Sequence, residues 1–597
     1  MILSALVIVI MLACAALWGS KAKGYGLFSA MLAMICTVAA GAVAFGVWEP
    51  TAGLLLGISA KLSGTGAALI EGSAWGLGLL LPFILSLLIF RVLVDSIVKA
   101  NLEFSDSANQ MGGLVLGAVI GMITSGMIVL SIGYMNLPPK LLGYQPLEDQ
   151  RGNLVYKSKL LLPADMLTVK LYEKLSLGTF GNSTPLARYR PAAYVEAGMQ
   201  RMTYKGAARS AVLPADFEIL GSYTIEGTVD ELVTDSFLGR TQTVLNWNGT
   251  AIGGDARLIG YAMTLKSGVK EQGGSVVVTP GQVRLIIKLK SGRTLTLQPF
   301  AVIAQPDANS DVPLYRFRFD ANDSYIASSG GGSTATFAFE FLMPASAQPM
   351  SLLFKNVRTD VSAKSALASK TTEFPTRSAR DESVRSQRLF ASLGAGGSFG
   401  PLDTSNAITI ASTGANSYPN VSTNPGLPYG MTINKSNKGS LQIDDSNAFI
   451  GGENTLTKDN THERGLSRNL AIRQFGQTPS TQIVQITLVN SGTLTEFGSS
   501  LGNLSPDAPV TLVDARGQRY DAIGFVYEEG ETVRLRFNPG KPIAKLSDAP
   551  LISQTKRDQT LVLIFRPSRG VTITSFALGN DELVHFGGDG LTLTAAR

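Results

Sequence analysis

Cysteine and histidine are scarce in this chain of 597 residues, which has two of each. Both cysteines, Cys14 and Cys36, fall in apolar stretches, and the sequence after Cys36 contains none, which excludes a disulfide framework. The histidines, His462 and His585, supply almost no material for a histidine metal site or a serine–histidine pair. The sequence therefore predicts that the protein is not an enzyme and has no catalytic residues, no metal ligands and no cofactor.

Charged residues are also few, at 16% of the chain, and they are unevenly distributed. Long stretches before Pro138 carry almost no charge, whereas charges of both signs are common after it. The net charge is +6, but lysines and arginines alternate with acidic residues and form no basic stripe with aromatic residues, so nucleic acid is not an expected partner. The change in composition predicts a membrane domain over residues 1–137 and a water-soluble region after it.

Four apolar segments lie within residues 1–137, at Ile2–Trp18, Tyr25–Trp48, Ala74–Phe90 and Gly112–Met135. Each is about long enough to cross a hydrocarbon core of roughly 30 Å as a helix. Buried core helices are the weaker alternative, so the lipid bilayer is the first expected partner. Between the second and third segments, Thr51–Ile70 is predicted to lie against the membrane interface or to re-enter it shallowly.

The orientation in the membrane follows from the cations in the short loops. Lys21 and Lys23 follow the first segment and Arg91 and Lys99 end the third, whereas the loop between the second and third segments has only Lys61. Because loops rich in lysine and arginine stay in the cytoplasm, both ends of the membrane domain are predicted to face away from it. The C-terminal region is then extracytoplasmic.

Two features of the segments are candidate sites. Gly113, Gly117 and Gly121 repeat every four residues, which clears a groove for close helix packing and could also join copies into a homo-oligomer. Arg91 and Asp95 stand one helical turn apart near the end of the third segment, where they can neutralise one another as an ion pair at the membrane edge.

Several short motifs mark the ends of these segments: Gly19-x-x-x-Lys23-Gly24, Arg91-Val-Leu-Val-Asp95, and Asn109-Gln-Met-Gly112-Gly113 leading into Gly117 and Gly121. In these motifs residues 1–137 resemble the membrane domain of the colicin V production (CvpA-like) family. The resemblance implies a bacterial inner-membrane protein tied to secretion or envelope maintenance, with no known catalytic activity. Where that family commonly has an acidic residue before the glycine of the last helix, this chain has Asn109.

The soluble region begins with a connector over residues 138–215. A helix is predicted at Ala164–Leu177, where Leu167, Leu171 and Leu175 share one face. Beyond it, apolar and polar residues alternate in runs separated by turn signals, which is typical of antiparallel strands. The clearest runs are Val283–Leu289, Leu295–Leu297, Tyr315–Phe319, Val510–Val513, Val533–Phe537 and Leu561–Phe565.

The runs from Val510 onward follow one another in the same order as those between Val283 and Phe319, which indicates a duplicated β-sandwich. The predicted sandwiches cover residues 216–360 and 478–597. Residues 361–477 are rich in Ser, Thr, Asn, Gly and Pro and are predicted to form a flexible linker. The expected fold is therefore multi-domain, with a four-helix transmembrane domain followed by an all-β region with two antiparallel sandwich-like domains.

Two motifs of catalytic or metal-binding type carry little weight. Gly396–Gly400 matches a nucleophile elbow, but it stands in low-complexity sequence without a preceding strand. Asp307–Asp311 resembles the start of a calcium loop, but Val312 takes the place of the required glycine, so an Asx-rich turn is the better interpretation.

The sequence thus predicts a multi-pass protein of the inner membrane that displays β-sandwich modules outside the cytoplasm. These modules are expected to bind an envelope protein or polymer, or a secretion component. One alternative is a transport or channel component whose helices surround a path. The other is a structural or adhesive protein of the cell envelope, in which the helices serve only as an anchor.

Overall fold

A computed structural model describes the chain apart from residues 1, 21–25, 63, 100, 101, 103, 158, 203–210, 235–240, 272–273, 305–313, 322–324, 328–331, 387, 394–401, 406, 411–419, 480, 490–507, 516, 544, 551, 553–557, 589 and 595–597. Both weak motifs, Gly396–Gly400 and Asp307–Asp311, lie outside the described residues, as do Lys21 and Lys23.

The chain begins with helices α1 (Ile2–Trp18), α2 (Leu27–Lys61), α3 (Gly64–Ile97) and α4 (Asp106–Gly133). Within the described part of the chain, three helices are long and apolar enough to cross a membrane: α2, α3 from Gly66 onward, and α4. The apolar α1 is shorter, at 17 residues. The helical, membrane-compatible character predicted for the N-terminal region is confirmed.

The segment between the second and third apolar stretches, Thr51–Ile70, is largely helical, because α2 continues to Lys61 and α3 begins at Gly64. Its location against the membrane interface, or shallowly within it, stays a prediction. Pro50 lies inside α2 without ending it. The next residue, Thr51, donates its hydroxyl to the carbonyl oxygen of Val47 at 2.8 Å, which supplies a local hydrogen bond beside the proline. The two helices therefore form a long hairpin.

The connector packs on the membrane helices. It consists of β1 (Leu147–Gln150), β2 (Asn153–Tyr156), α5 (Ala164–Ser176), α6 (Leu186–Tyr189) and α7 (Ala193–Met202). The bounds of α5 agree with the predicted helix within one residue. Its buried side includes Thr168 and Tyr172, whereas Leu167 is exposed. Thr168 lies against Gly126 of α4, so the small residue lets α5 approach closely.

The first β unit, residues 217–374, contains two packed sheets. Its strands are β3 (Phe217–Thr228), β4 (Asp255–Lys266), β5 (Val276–Val278), β6 (Val283–Lys288), β7 (Thr294–Leu297), β8 (Ala301–Ala304), β9 (Tyr315–Arg318), β10 (Tyr325–Ala327), β11 (Thr334–Pro344), β12 (Gln348–Phe354), β13 (Val357–Asp360) and β14 (Thr371–Glu373), with the short helix α8 (Val229–Val233) after β3. In the described residues one sheet has the order β14-β3-β4-β11-β8-β9 and the other β13-β12-β6-β7. Phe217 of β3 and Phe354 of β12 meet between them, with ring centroids 5.0 Å apart.

The second β unit, residues 420–592, follows α9 (Arg377–Arg385), α10 (Leu389–Ser392) and β15 (Ile408–Ile410). Its strands are β16 (Asn420–Ser422), β17 (Ile433–Asn434), β18 (Gln442–Ile443), β19 (Phe449–Thr457), β20 (Ala471–Ile472), β21 (Val484–Val489), β22 (Val510–Asp514), β23 (Arg519–Glu529), β24 (Thr532–Phe537), β25 (Gln559–Phe565), β26 (Thr572–Leu578), β27 (Asp581–Phe586) and β28 (Leu591–Thr592), with α11 (Lys458–Thr461) after β19.

Strand order recurs between the two units. The order β3-β4-β11-β8-β9 of the first unit matches β16-β21-β25-β23-β24 of the second. Likewise β13-β12-β6-β7 matches β27-β26-β22-β23. The long β23 belongs to both sets, because it pairs with β22 in one and with β24 in the other. Equivalent strands also follow one another in the same order along the chain.

This correspondence revises the predicted linker over residues 361–477. The second unit begins at β16 rather than at residue 478, and the segment between β16 and β21 supplies β17–β20. Leu427, Phe449 and Phe475 from this segment are buried in a common core. A few large apolar residues spaced among polar ones are enough to fold it, so the flexible-linker prediction is wrong for these residues.

Candidate functional site

The structure brings both predicted site features into contact with α1. The carbonyl oxygen of Cys14 would lie 2.6 Å from a β-carbon on Gly117, and Cα of Met11 would lie 2.7 Å from one on Gly121. Gly113 meets the backbone of Trp18 in the same way. The glycine groove of α4 is therefore filled by α1 of the same chain.

The predicted ion pair forms at the far end of α3. Nη2 of Arg91 lies 2.8 Å from Oδ1 of Asp95, and the guanidinium also stands 5.6 Å from the ring centre of Trp18. Both side chains are partly exposed, so the pair contributes little to stability. The pair lies near the C-terminal end of α3, away from the end of that helix that meets the β region.

A larger polar cluster lies where the helices meet the connector and the first β unit. We call it the junction, and it consists of Trp48, Glu49, Trp75, Tyr134, Arg190, Glu196, Arg284 and Arg358. Glu49 of α2 is its centre. Its carboxylate accepts hydrogen bonds from Nε of Arg190 at 3.1 Å and from Nη2 of Arg358 at 2.8 Å. One acidic side chain of an apolar helix thus joins two soluble elements.

Arg190 is almost fully enclosed, with a side chain 3% exposed. Its guanidinium lies 4.8 Å from the ring centre of Trp48 and 5.0 Å from that of Trp75, within cation–π range. Burial alone would lower the pKa of Arg190, but Glu196 and Glu49 hold it above its usual value. Arg190 is therefore charged at every physiological pH.

Glu196 of α7 extends the junction toward α4 and β6. Its Oε2 accepts from the hydroxyl of Tyr134 at 2.8 Å and from Nη1 of Arg190 at 3.1 Å. Arg284 stands 3.9 Å from the same oxygen, and burial lowers the pKa of Arg284. The carboxylate is the shared partner of three elements.

The hairpin turn between β12 and β13 enters the same cluster. Lys355 and Asn356 have φ of 46° and 70°, the conformation that a two-residue hairpin turn requires. Through this turn the carbonyl oxygen of Asn356 accepts from Nη2 of Arg190, and its side-chain oxygen accepts from Nη2 of Arg284, both at 2.8 Å. Arg358 follows two residues later on β13.

A cavity of about 300 Å³ lies beside the junction, and we call it the junction cavity. Its apolar wall comes from α2 and the connector and includes Ala42, Phe45 and Phe180. Its polar wall includes Asn182, Ser183, Thr184, Glu49, Arg190 and Arg358. The arrangement can hold a small anionic or amphiphilic group.

Both histidines of the chain lie in the second β unit, each in its own polar contact. Nδ1 of His585 lies 2.9 Å from Oε1 of Glu582, which also accepts from the hydroxyl of Ser575. The carboxylate stands between serine and histidine, so the imidazole cannot take the serine proton. His462 contacts Thr461 at 3.1 Å. No group of three or more His, Cys, Asp or Glu that could hold a metal occurs among the described residues.

No family model, curated protein or solved structure matches this chain. The resemblance of residues 1–137 to the colicin V production family stays a prediction.

Sequence reasoning missed the junction. The predicted second segment ended at Trp48, one residue before Glu49, so the acidic residue fell outside the predicted helix. An acidic residue followed by proline inside a long apolar stretch was the available signal, because an ionisable residue there marks a functional or structural contact. Arg190 and Arg358 have no comparable local signal.

Proposed function

We propose that this chain is a multi-pass protein of the bacterial inner membrane that holds two β units outside the cytoplasm, where they bind components of the envelope or the secretion machinery. The bacterial setting rests on the resemblance of its membrane domain to the colicin V production family. The membrane setting is supported by the three long apolar helices near the N-terminus.

The positions of the helix ends support this orientation. Gly133 at the end of α4 packs against Ala197 of the connector, so this end faces the β region. Gly112 near the start of α4 packs against Leu27 at the start of α2, so these residues lie at the opposite end. Lys99 follows α3 toward the same opposite end. Cations concentrated away from the β region favour a cytoplasmic location for that end.

The junction is the observation that carries the proposal. Glu49 with Arg190 and Arg358 joins α2 directly to the connector and the first β unit, so that unit is held at a fixed place on the helices. Glu49 lies inside α2, well before its end at Lys61, so a polar cluster there suits a point at which α2 has left the hydrocarbon, since buried charges in hydrocarbon are expensive. The helices therefore both anchor and orient the β region.

The recurring strand order supports the second part of the proposal. We propose that the two units are duplicated antiparallel β-sandwiches, each able to present its own loops to a partner. Duplication would let one chain bind a repetitive envelope polymer or protein at two places, and the gain would come from the effective concentration of the second site.

A pair of reporter fusions tests the orientation. Alkaline phosphatase joined after Arg597 should be active, because it folds only after export, and β-galactosidase at the same place should be inactive. The reverse pattern would place the β units in the cytoplasm and remove envelope components as partners. Cross-linking of the full chain in intact cells, followed by mass spectrometry, would then identify what the β units contact.

A further inference from the structure

The junction carries unbalanced charge. Among the described residues, three arginines (Arg190, Arg284 and Arg358) face two glutamates (Glu49 and Glu196), which leaves one positive charge in excess. Arg190 and Arg284 are 3% and 0% exposed, whereas Arg358 is 18% exposed, so an anion from outside the chain can reach the excess charge at Arg358 and stabilise the cluster.

Arg358 is the arginine placed to meet that anion. Every nitrogen type of Arg190 is used, because Nε, Nη1 and Nη2 donate to Glu49, Glu196 and Asn356 respectively. Arg358 donates to Glu49 through Nε and Nη2, and its guanidinium lies 4.7 Å from the ring centre of Tyr189. In the described residues no hydrogen bond involves Nη1 of Arg358, and this residue lines the junction cavity.

Polar groups that line the same cavity as Arg358 suit a phosphate that carries hydroxyl groups. Asn182, Ser183 and Thr184 line the cavity side by side and supply an amide and two hydroxyls. Gly46 also lines it, and the carbonyl of Gly46 lacks its usual helical donor because Pro50, four residues later, has no amide hydrogen. Donors and an acceptor therefore surround the same space.

The cavity also borders the apolar belt of the helices. Val43 and Val47 of α2 are exposed large apolar residues that alternate with cavity-lining residues. In the connector, Leu177 and the cavity-lining Phe180 are exposed as well. A volume of about 300 Å³ is at the lower end of the ~300–1,000 Å³ found for small-molecule sites, which suits a headgroup rather than a whole lipid. Acyl chains can then lie against the exposed apolar surface.

We propose that the junction cavity binds the headgroup of an anionic phospholipid, with Nη1 of Arg358 on the phosphate and Asn182, Ser183 and Thr184 on the headgroup hydroxyls. Guanidinium groups bind phosphate strongly because their hydrogen bonds are charge-assisted. The proposal rests on the membrane anchorage in the proposed function, but not on which side of the membrane the β units occupy. The bound lipid supplies the negative charge that the junction lacks.

Native mass spectrometry of the delipidated full chain in an uncharged detergent tests the proposal. Phosphatidylglycerol should stay bound with roughly tenfold or greater preference over phosphatidylcholine, since the second is neutral overall. Inorganic phosphate at the same concentration should not be retained. Equal retention of the two lipids would overturn the proposal, and retention of phosphate as strong as that of lipid would assign the cavity to a soluble anion instead.

Three variants locate the site. Arg358→Gln should weaken phosphatidylglycerol retention about tenfold or more. Gly46→Leu fills the cavity but keeps the arginine–glutamate contacts, so it separates loss of lipid from loss of folding; a β-carbon there meets only Nδ2 of Asn182, at 3.7 Å. Arg257→Gln is the matched control, because Arg257 is also a partly exposed arginine paired with a glutamate, Glu226. Full retention by Gly46→Leu would contradict the proposal, whereas the reporter fusions would still judge the orientation.

Discussion

The two β units share a strand order but are attached to the helices in different ways. The first unit has no boundary with the membrane helices in its core: Phe83 of α3, Met127 of α4 and Phe339 of β11 belong to one continuous set of buried residues. The second unit has separate cores, one of which contains Phe565 and Phe576. It donates hydrogen bonds at the C-terminal end of α2, from Nζ of Lys541 to the carbonyl oxygens of Ala60 at 2.6 Å and of Leu62, just beyond the helix, at 3.3 Å.

This difference shows that strand order and attachment to the helices have separate causes. Strand order follows alternation and turns, which both units have in common. Attachment depends on particular residues of the first unit, above all Arg358 and the turn at Asn356. The second unit should therefore respond weakly to changes at the junction, and the first strongly.

The largest expected effect comes from Arg190→Met. The change removes the hydrogen bonds to Glu49 and Glu196 and leaves Glu196 as a buried carboxylate with Arg284 at 3.9 Å. Breaking one side of a buried ion pair costs about 3–5 kcal/mol. Amide hydrogen exchange should show this lost stability as weaker protection of β11 in the first unit. The protection of β25 in the second unit should stay almost unchanged.

Arg534→Met is the control for that experiment. Arg534 pairs with Glu453 at 3.3 Å in the second unit, but both side chains are more than 40% exposed. Exposed pairs contribute about 0–1 kcal/mol, so protection in both units should stay close to that of the parent protein. An equal loss in both units after Arg190→Met would mean that they unfold together and that the comparison is wrong.

A second test acts on the fit between α2 and α5. Gly41→Ala would drive a β-carbon into the ring and hydroxyl of Tyr172, whose oxygen lies 3.2 Å from the carbonyl oxygen of Thr37. Overpacking of this kind costs about 1–3 kcal/mol, so the melting temperature in detergent should fall. Gly53→Ala on the same helix meets nothing within 4 Å and should leave it unchanged or slightly raised. Equal melting temperatures for the two variants would show that α5 is not docked as described.

Stability should depend on pH through Lys270 of the first unit, which interacts with the charges of Asp521 and Arg566 of the second unit. Its ammonium donates to the carbonyl oxygen of Gly332, and burial, with repulsion from Arg566, lowers its pKa to about 8 despite attraction from Asp521. The pKa of the unfolded side chain is about 10.4, so between these values the unfolded state binds more protons and stability rises with pH. The free energy of unfolding should rise by roughly 1–3 kcal/mol between pH 7.5 and pH 9.5.

Lys270→Met should remove that rise. The free energy of unfolding, measured at both pH values, should therefore rise between pH 7.5 and pH 9.5 in the parent protein and stay nearly constant in the variant. Lys288→Met is the control, because Lys288 at the end of β6 is exposed. A parallel response of the parent protein and Lys270→Met would show that Lys270 is not responsible.

The smallest expected effect belongs to Lys541→Ala. Lys541 caps the C-terminal end of α2, where a cation is favourable by about 0.3–1 kcal/mol. Hydrogen exchange near Ala60 should increase slightly, and the exchange of β11 should not change. A large loss of protection in the first unit would mean that the second unit contributes to its attachment.

Sequence alone could predict the elements whose pattern is local. Val533, Leu535 and Phe537 alternate with polar residues and are buried in β24 as the period-two pattern requires. The apolar segments likewise became helices, and α5 was placed within one residue. The folded part of the predicted linker was missed because β19 buries few large residues, among them Phe449 and Leu456, in an otherwise polar stretch.

The junction could not be predicted for a different reason. Glu49 is separated by 141 residues from Arg190 and by 309 residues from Arg358, and no spacing in the sequence links them. Arg190 and Arg358 each resemble an ordinary surface charge in the sequence. Their burial results from packing the connector and the β12–β13 hairpin onto α2, and a single sequence contains no record of that packing.

Double electron–electron resonance tests most directly the central claim, that the first β unit and the membrane helices form one body. Spin labels would be placed at Met111 near the start of α4 and at Lys288 of β6, both exposed, after Cys14 and Cys36 are replaced by alanine. The account predicts one narrow distance distribution in detergent, which broadens in Arg190→Met. A broad or multiple distribution before that substitution would contradict it, because the first unit would then move independently of the helices.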